Sequence, residues 1–161
     1  MAEHDYVIFE VDFCKFAVSS ALVDKVEQAV LISPVPDAPY PVLGVVNDGG
    51  TVIPVVGVRR KIGNEERDVI VSDRFLFTKF NERRIAILAD EVNDVIEILP
   101  EVSQSADEIW PGVFYLKSFA GIGADIILVQ DLGSILNSEQ EQSLAEALER
   151  FATQGEGSSD A

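Results

Sequence analysis

Apolar and polar positions in this chain alternate mostly with a period of two, in runs rich in Val, Ile and Phe, which predicts half-buried β-strands. "YVIFEV" (6–11) and "KFAVSS" (15–20) flank an Asp-Phe-Cys turn and read as a hairpin. "VDKVEQAVLI" (23–32) fits a helical turn followed by a strand, and "SPVPDAPYP" (33–41) is a loop, because proline cannot donate to a ladder. "VLGVVN" (42–47) and "TVIPVV" (51–56) form a second hairpin around Asp48-Gly49-Gly50, whose glycines tolerate the positive φ of a tight turn. Pro54 predicts that its strand lies at an edge or beside a bulge. "VRRKIG" (58–63) is a short helical turn ended by Gly63, and "NEERD" (64–68) a charged loop. A third hairpin joins "VIVSDRFLFTKF" (69–80) to "RRIAILADEV" (83–92) through Asn81-Glu82. "NDVIEIL" (93–99) is another strand, and 100–112 a loop anchored by Val102, Ile109 and Trp110. "VFYLKSFAG" (113–121) and "ADIILVQ" (124–130) complete the β part.

The period changes near the end. Asn137 or Ser138 caps a helix, with Ser138 and Glu141 at capping-box spacing. Leu144, Leu148 and Phe151 fall on one face, so the helix (138–154) can dock. Gly155 ends it, and 155–161 is expected to be a disordered tail behind one domain spanning 1–154. "TVIPVVGVRRKIG" (51–63) also aligns without gaps on "DIILVQDLGSILN" (125–137): Ile53 meets Ile127, Val55 meets Val129, Val58 meets Leu132 and Ile62 meets Leu136. The repeat and the strand count predict a mostly β protein of two similar subdomains, about five strands each, closed enough to hide their edges.

Composition narrows the function. The 161 residues include 28 acidic and 12 basic ones, for a formal net charge of −16. That surface repels phosphate backbones and anionic lipid, which argues against nucleic-acid binding and membrane insertion. Cys14 is the one cysteine, so no internal disulfide forms; between Phe13 and Phe16 it reads as an inert core thiol, and its environment as a reducing cytoplasm. The N-terminus has no basic n-region and does not read as a signal peptide. His4 is the only histidine, which removes histidine-based triads and metal sites. Gly49-Gly50 precedes a strand rather than a helix, and Gly121-Ile122-Gly123 lacks the third glycine of a dinucleotide fingerprint. Asp90-Glu91 and Asp107-Glu108 read as solvated charge, and Arg59-Arg60-Lys61 as a solvated turn rather than a binding patch. Neither catalysis nor a cofactor is expected; a docking module is.

The proline loop, "VLGVVNDGGTVIPVVGVRRKIG", "RRIAILADEVNDVIEI" and "YLKSFAGIGADIILVQDLGSILNSEQEQ" follow one another in an order that resembles the CheW family of chemotaxis coupling proteins, from about residue 6 to residue 150. The resemblance implies two five-stranded β-barrels side by side with a shared core. It also implies a non-catalytic cytoplasmic adaptor linking the cytoplasmic tip of chemoreceptors to the regulatory domain of a CheA-type histidine kinase. Gly44, Asn47, Gly50, Pro54, Val55, Arg59, Val92, Val95, Gly121, Gly123 and Asp131 match the family pattern. Partner contacts are therefore expected at Gly44, Asn47, Asp48, Gly49, Gly50 and Arg59, and at Val92 and Val95 in a receptor-facing groove between the barrels. Two positions depart: the family's usual arginine is Gly49 here, and its usual aspartate is Gly57. Two alternatives stand beside this reading: a divergent CheW-like scaffold of another pathway, and a small-ligand-binding β-barrel.

Overall fold

Short two-residue turns set the architecture. The computed structural model describes residues 3–80, 82–109, 111 and 116–159, with side chains through 152 in the final helix. β1 (Asp5–Val11) and β2 (Cys14–Ser19) pair antiparallel around Asp12-Phe13. β3 (Val23–Gln28) follows a 3-10 turn, then β4 (Val42–Asp48) and β5 (Thr51–Val56) pair around Gly49-Gly50. β6 (Arg74–Phe80), β7 (Arg83–Ala89) and β8 (Glu91–Glu97) come next, then β9 (Ser103–Ser105) and the one-turn α1 (Ala106–Ile109). β10 (Leu116–Ile122), β11 (Asp125–Gln130) and α2 (Ser138–Ser159) end the chain. The strands form a six-stranded sheet, β8-β1-β2-β11-β10-β9, and a five-stranded one, β3-β6-β7-β5-β4.

The repeat read from the last strands runs through the whole β part. β4 and β5 map onto β10 and β11 at a constant offset of 74 (Thr51 to Asp125). The register agrees: Asp48 pairs with Thr51 as Ile122 does with Asp125, and a bulge falls between Val42 and Gly44 as between Leu116 and Ser118. β1, β2 and β3 map onto β6, β7 and β8 at an offset of 69 (Asp5 to Arg74), again with matching pairs, Val11 with Cys14 and Phe80 with Arg83. Yet β1–β2 lies in the sheet of β8, β10 and β11, while β6–β7 lies in the sheet of β3, β4 and β5. Each repeat has exchanged its leading hairpin with the other.

That exchange produces a shared core. Phe9, Phe16 and Val18 of one sheet pack in a single cluster with Val56, Leu76 and Ile87 of the other, joined by Leu132, Ile135, Leu136 and Leu144. Ile53, Val55, Phe75 and Phe77 fill the inside of the five-stranded sheet, and Ile8, Ala17, Ile127 and Val129 the inside of the six-stranded one. α2 docks as its periodicity predicts: Leu144 is buried, and Leu148 and Phe151 pack with the buried Ala147 over Val35 and Val45. Its cap differs from the expected box. Asn137, not Ser138, accepts from the Gln140 N–H at 2.7 Å, and Gln140 Oε1 accepts from the Asn137 N–H at 2.8 Å. Glu141 is drawn instead to Arg83.

Other expectations shift as well. Residues 69–73 form no strand, because Asp73 turns the chain by accepting from the Ile70 N–H at 3.0 Å. The 100–112 segment holds the edge strand β9 and α1, so the sheets have six and five strands rather than five each. No strand pairing closes either sheet into a barrel among the described residues, although Ser33, beyond β3, bridges Val45 of β4, the opposite edge. Pro54 sits not at an edge but, as the other expected placement has it, beside the bulge between Val42 and Gly44; β5 pairs with β7 only at Val55 and Val56, so the missing N–H falls where that ladder has not begun. α2 continues through Gly155 to Ser159, past its expected end. Trp110, Asn81 and residues 160 and 161 lie outside the described residues, as do the side chains of the expected tail up to 159.

Candidate functional site

The "NDGG" stretch is a hairpin tip. Gly49 and Gly50 take φ of +60° and +95°, the left-handed pair that a type I′ turn needs, and the Gly50 N–H donates to Asn47 Oδ1 at 2.7 Å. Asp48 is tied up within the chain. Its carboxylate accepts from Lys25 Nζ at 2.6 Å and from Arg84 at 3.0 Å, and the lysine bond, then the arginine bond, hold its pKa below the ordinary aspartate value. The tip is thereby tied to β3 and β7. Nothing lies within 4 Å of where side chains on Gly49 or Gly50 would begin, so this face is open.

The tip has apolar surroundings that the alternation pattern did not reveal. Continuing the Ser33–Val45 register by two residues puts Leu31 opposite Asn47, whose β5 partner is Val52. Leu31 is 87% exposed and Val52 57%. Val71 (78% exposed) lies beside the end of β3, where Gln28 Nε2 donates to its carbonyl at 3.2 Å, and Val30 and Ile70 are exposed nearby. Isolated exposed valines are ordinary; several near a rigid turn form a candidate contact surface. The signal was present in the unpatterned apolar run "AVLI" (29–32), which continues past the end of β3 at Gln28.

Two of the expected contact residues are buried. Gly44 is buried, with φ of +154°, and a Cβ on it would stand 2.3 Å from the Ser33 carbonyl oxygen. Its absent side chain lets the 29–33 segment bridge β4. Arg59 is 2% exposed and beyond a partner's reach; it is not in a solvated turn. Its guanidinium bonds Asp12 in the β1–β2 turn and Asp90 between β7 and β8. Arg67 extends the network, donating to both Asp73 oxygens at 2.8 and 2.9 Å and to Asp90 at 2.8 Å. Asp90 is therefore a fixed member of a network between the sheets, not solvated charge. Burial alone would raise Asp12, but hydrogen bonds from Arg59 and Asn64 outweigh it and lower the pKa. Lys61 is half-buried too, and burial lowers it to about 8. Only Arg60 of the basic cluster is exposed, laid over the Tyr40 ring at 4.4 Å. Asp107 and Glu108 are exposed on α1 as expected.

The two valines of β8 divide. Val95 is 56% exposed on this edge strand, whereas Val92 is half-buried against the shared core. A groove of about 550 Å³ also runs between the β6–β7 end (Phe80, Arg83, Ile85) and the 132–138 segment, beside Glu141. Cys14 is half-buried rather than fully enclosed. Among the described residues, no three His, Cys, Asp or Glu side chains are grouped to hold a metal ion, and no helix is long and apolar enough to cross a membrane.

With this geometry in place, comparison with known proteins is decisive. The family profile of the CheW-like domain matches residues 5–140. The chain belongs to the CheW family. It is 25% identical over 143 residues to the chemotaxis protein CheW of Rhizobium meliloti, covering 86% of this chain and 91% of that one. It is 26% identical over 102 residues to the chemotaxis protein CheW of Bacillus subtilis, covering 63% and 65%. The crystal structure of the scaffolding protein TtCheW from Thermoanaerobacter tengcongensis superposes with a TM-score of 0.71 at 19% identity, covering 80% of this chain and 89% of that one, and so shares the fold. In this CheW-family chain the hairpin tip carries Gly49 and the position after β5 is Gly57.

Proposed function

We propose that this protein is a non-catalytic cytoplasmic adaptor that couples chemoreceptors to a CheA-type histidine kinase. Residues 1–154 act as one unit, with 155–161 as a tail. Family membership supports the chemotaxis coupling role. The observation that carries the docking assignment is the exposed apolar group Leu31, Val52 and Val71 around the open Gly49-Gly50 turn. Such a group gains by burial against a partner of similar surface, at about 25 cal/mol per Å² of apolar area removed from water. We assign this tip to the kinase's regulatory domain and the Val95 edge to the receptor tip. We read each sheet as a barrel; for the five-stranded sheet, the Ser33–Val45 bridge between its opposite edges supports closure. The side chains that fill the sheet interiors leave the small-ligand reading without support.

The test is a pair of titrations, one with the kinase regulatory domain and one with a receptor hairpin fragment from the same organism. Leu31→Glu is expected to weaken kinase binding at least tenfold and leave receptor binding unchanged. Val95→Glu should do the reverse. Binding of neither partner by the wild type would sink the proposal.

A further inference from the structure

The two repeats end their last strands differently. After β11, the Asp131 carboxylate accepts from the Gly133 N–H at 3.1 Å and the Ser134 hydroxyl at 3.2 Å, capping the 3-10 turn Leu132–Ser134. Such a cap satisfies donors that the start of a helical turn leaves without partners. At the same 74-residue offset, the position after β5 is Gly57, which has no side chain to cap Arg60–Ile62. Backbone conformation does not require glycine there: Gly57 is absent from the positive-φ glycines Gly44, Gly49, Gly50, Gly63 and Gly123. Space does. A Cβ on Gly57 would lie 2.7 Å from Glu66 Oε1 and 2.9 Å from a Leu43 methyl.

Glu66 fills the vacated place. Its Oε2 accepts from the Arg60 N–H at 3.4 Å and from the Tyr40 hydroxyl at 3.5 Å, while that hydroxyl also donates to the Gly57 carbonyl at 3.3 Å. By the offset of 74, Arg60 corresponds to Ser134, the residue whose hydroxyl Asp131 holds. Arg67, next in the chain, is clamped to Asp73 and Asp90, so the loop that carries Glu66 is held against the turn.

We propose that Glu66 is a positioning residue that supplies, across nine positions from Gly57, the carboxylate that Asp131 supplies directly in the second repeat. It keeps the turn after β5 in place and holds Arg60 over Tyr40. Gly57 is glycine because the carboxylate arrives from outside. This assignment does not depend on the adaptor reading.

A double-mutant cycle in the full chain tests it, with melting midpoint and Arg60 amide exchange as readouts. Glu66→Ala should lower the midpoint by roughly 2–4 °C, as expected for a lost cap in a chain of this size, and speed exchange at Arg60. Glu66→Gln, which keeps an acceptor, should retain part of both. Gly57→Asp alone should bring no gain, since two carboxylates then compete for one place. In the Glu66→Ala background the same substitution should restore the midpoint and protect the Arg59 amide, the counterpart of the Gly133 amide that Asp131 holds. Burial, then the Glu66 charge, raises the Tyr40 phenol to about 12, so Glu66→Ala should also lower its titration midpoint. Equal effects of Gly57→Asp in both backgrounds would overturn the proposal. So would unchanged Arg60 exchange or unchanged Tyr40 titration in Glu66→Ala, a variant that needs no new side chain at 57.

Discussion

Arg59 joins three pieces of chain that are far apart in sequence: its own turn, the β1–β2 tip through Asp12 and the β7–β8 junction through Asp90. Arg59→Met would remove the cation that Asp12 and Asp90 share and leave Asp90 only Arg67. Both carboxylates keep some water, with side chains 30% and 28% exposed, so the loss should fall at the lower end for a broken buried pair, about 3 kcal/mol by urea unfolding. The network also has a pH signature. Burial alone would raise Asp73, but the Arg67 bond and the Ile70 N–H outweigh it and lower its pKa, as Arg59 and Asn64 do for Asp12. A carboxylate with a depressed folded pKa contributes stability above its unfolded value, near 3.8, and loses it as pH falls through the folded value. Unfolding free energy should therefore drop below about pH 4, and drop less in Asp73→Asn; an equal slope in that variant would refute the account. At the hairpin tip, Gly49→Arg should strengthen kinase binding, because a permanent planar cation is added beside an apolar contact surface. Asp48 is already held by Lys25 and Arg84 and is not available to sequester it. The positive φ of Gly49 should cost about 1–2 kcal/mol of stability, read from a melting curve. Unchanged affinity with the fold intact would mean that the tip is only a turn.

Helix α2 is an element whose value lies in what it covers. Truncation after Asn137 removes the buried Leu144 and Ala147, uncovers Val35 and Val45 and breaks the Gln140 bond to the Tyr40 carbonyl at 2.8 Å. At about 1.5–3 kcal/mol per large apolar side chain, the loss should exceed about 3 kcal/mol. Removing 155–161 should leave the melting midpoint unchanged, which separates the docked part from the tail. On β8, Val92→Glu should destabilise the fold, since its side chain packs on the shared core, while Val95→Glu should not. Equal melting shifts for the two would contradict this division of the strand.

The exchanged hairpins make the whole molecule one cooperative unit. Neither sheet can form from one repeat alone: the six-stranded sheet needs β1–β2 from the first, and the five-stranded sheet needs β6–β7 from the second. Chemical unfolding should give one transition, coincident by far-ultraviolet dichroism and by fluorescence. Separate fragments 1–68 and 69–161 should be unfolded alone and should regain structure only when mixed. A stable isolated fragment would show that the exchange is not required.

The sequence by itself determined most of the strands, the glycine tip, the docking face of α2 and the last part of the repeat, because each follows from local rules of period, turn conformation and proline or glycine placement. "VLGVVN", "TVIPVV" and "NDGG" are legible for that reason. It also carried enough of the family pattern to name the family, though not which exposed residues cluster on the surface. Tertiary structure decided the rest. Arg59 and Asp90 look like solvated charge until folding brings Arg59 between Asp90 and Asp12, the latter 47 residues away in sequence. Leu31, in an apolar run, looks buried until the chain crosses to β4 and leaves it outside. Which hairpin joins which sheet cannot be read from periodicity, because equivalent strands in two repeats present the same alternation. Only the packed core, drawing Phe9 and Phe16 from one repeat's hairpin against Leu76 and Ile87 from the other's, distinguishes the exchanged arrangement.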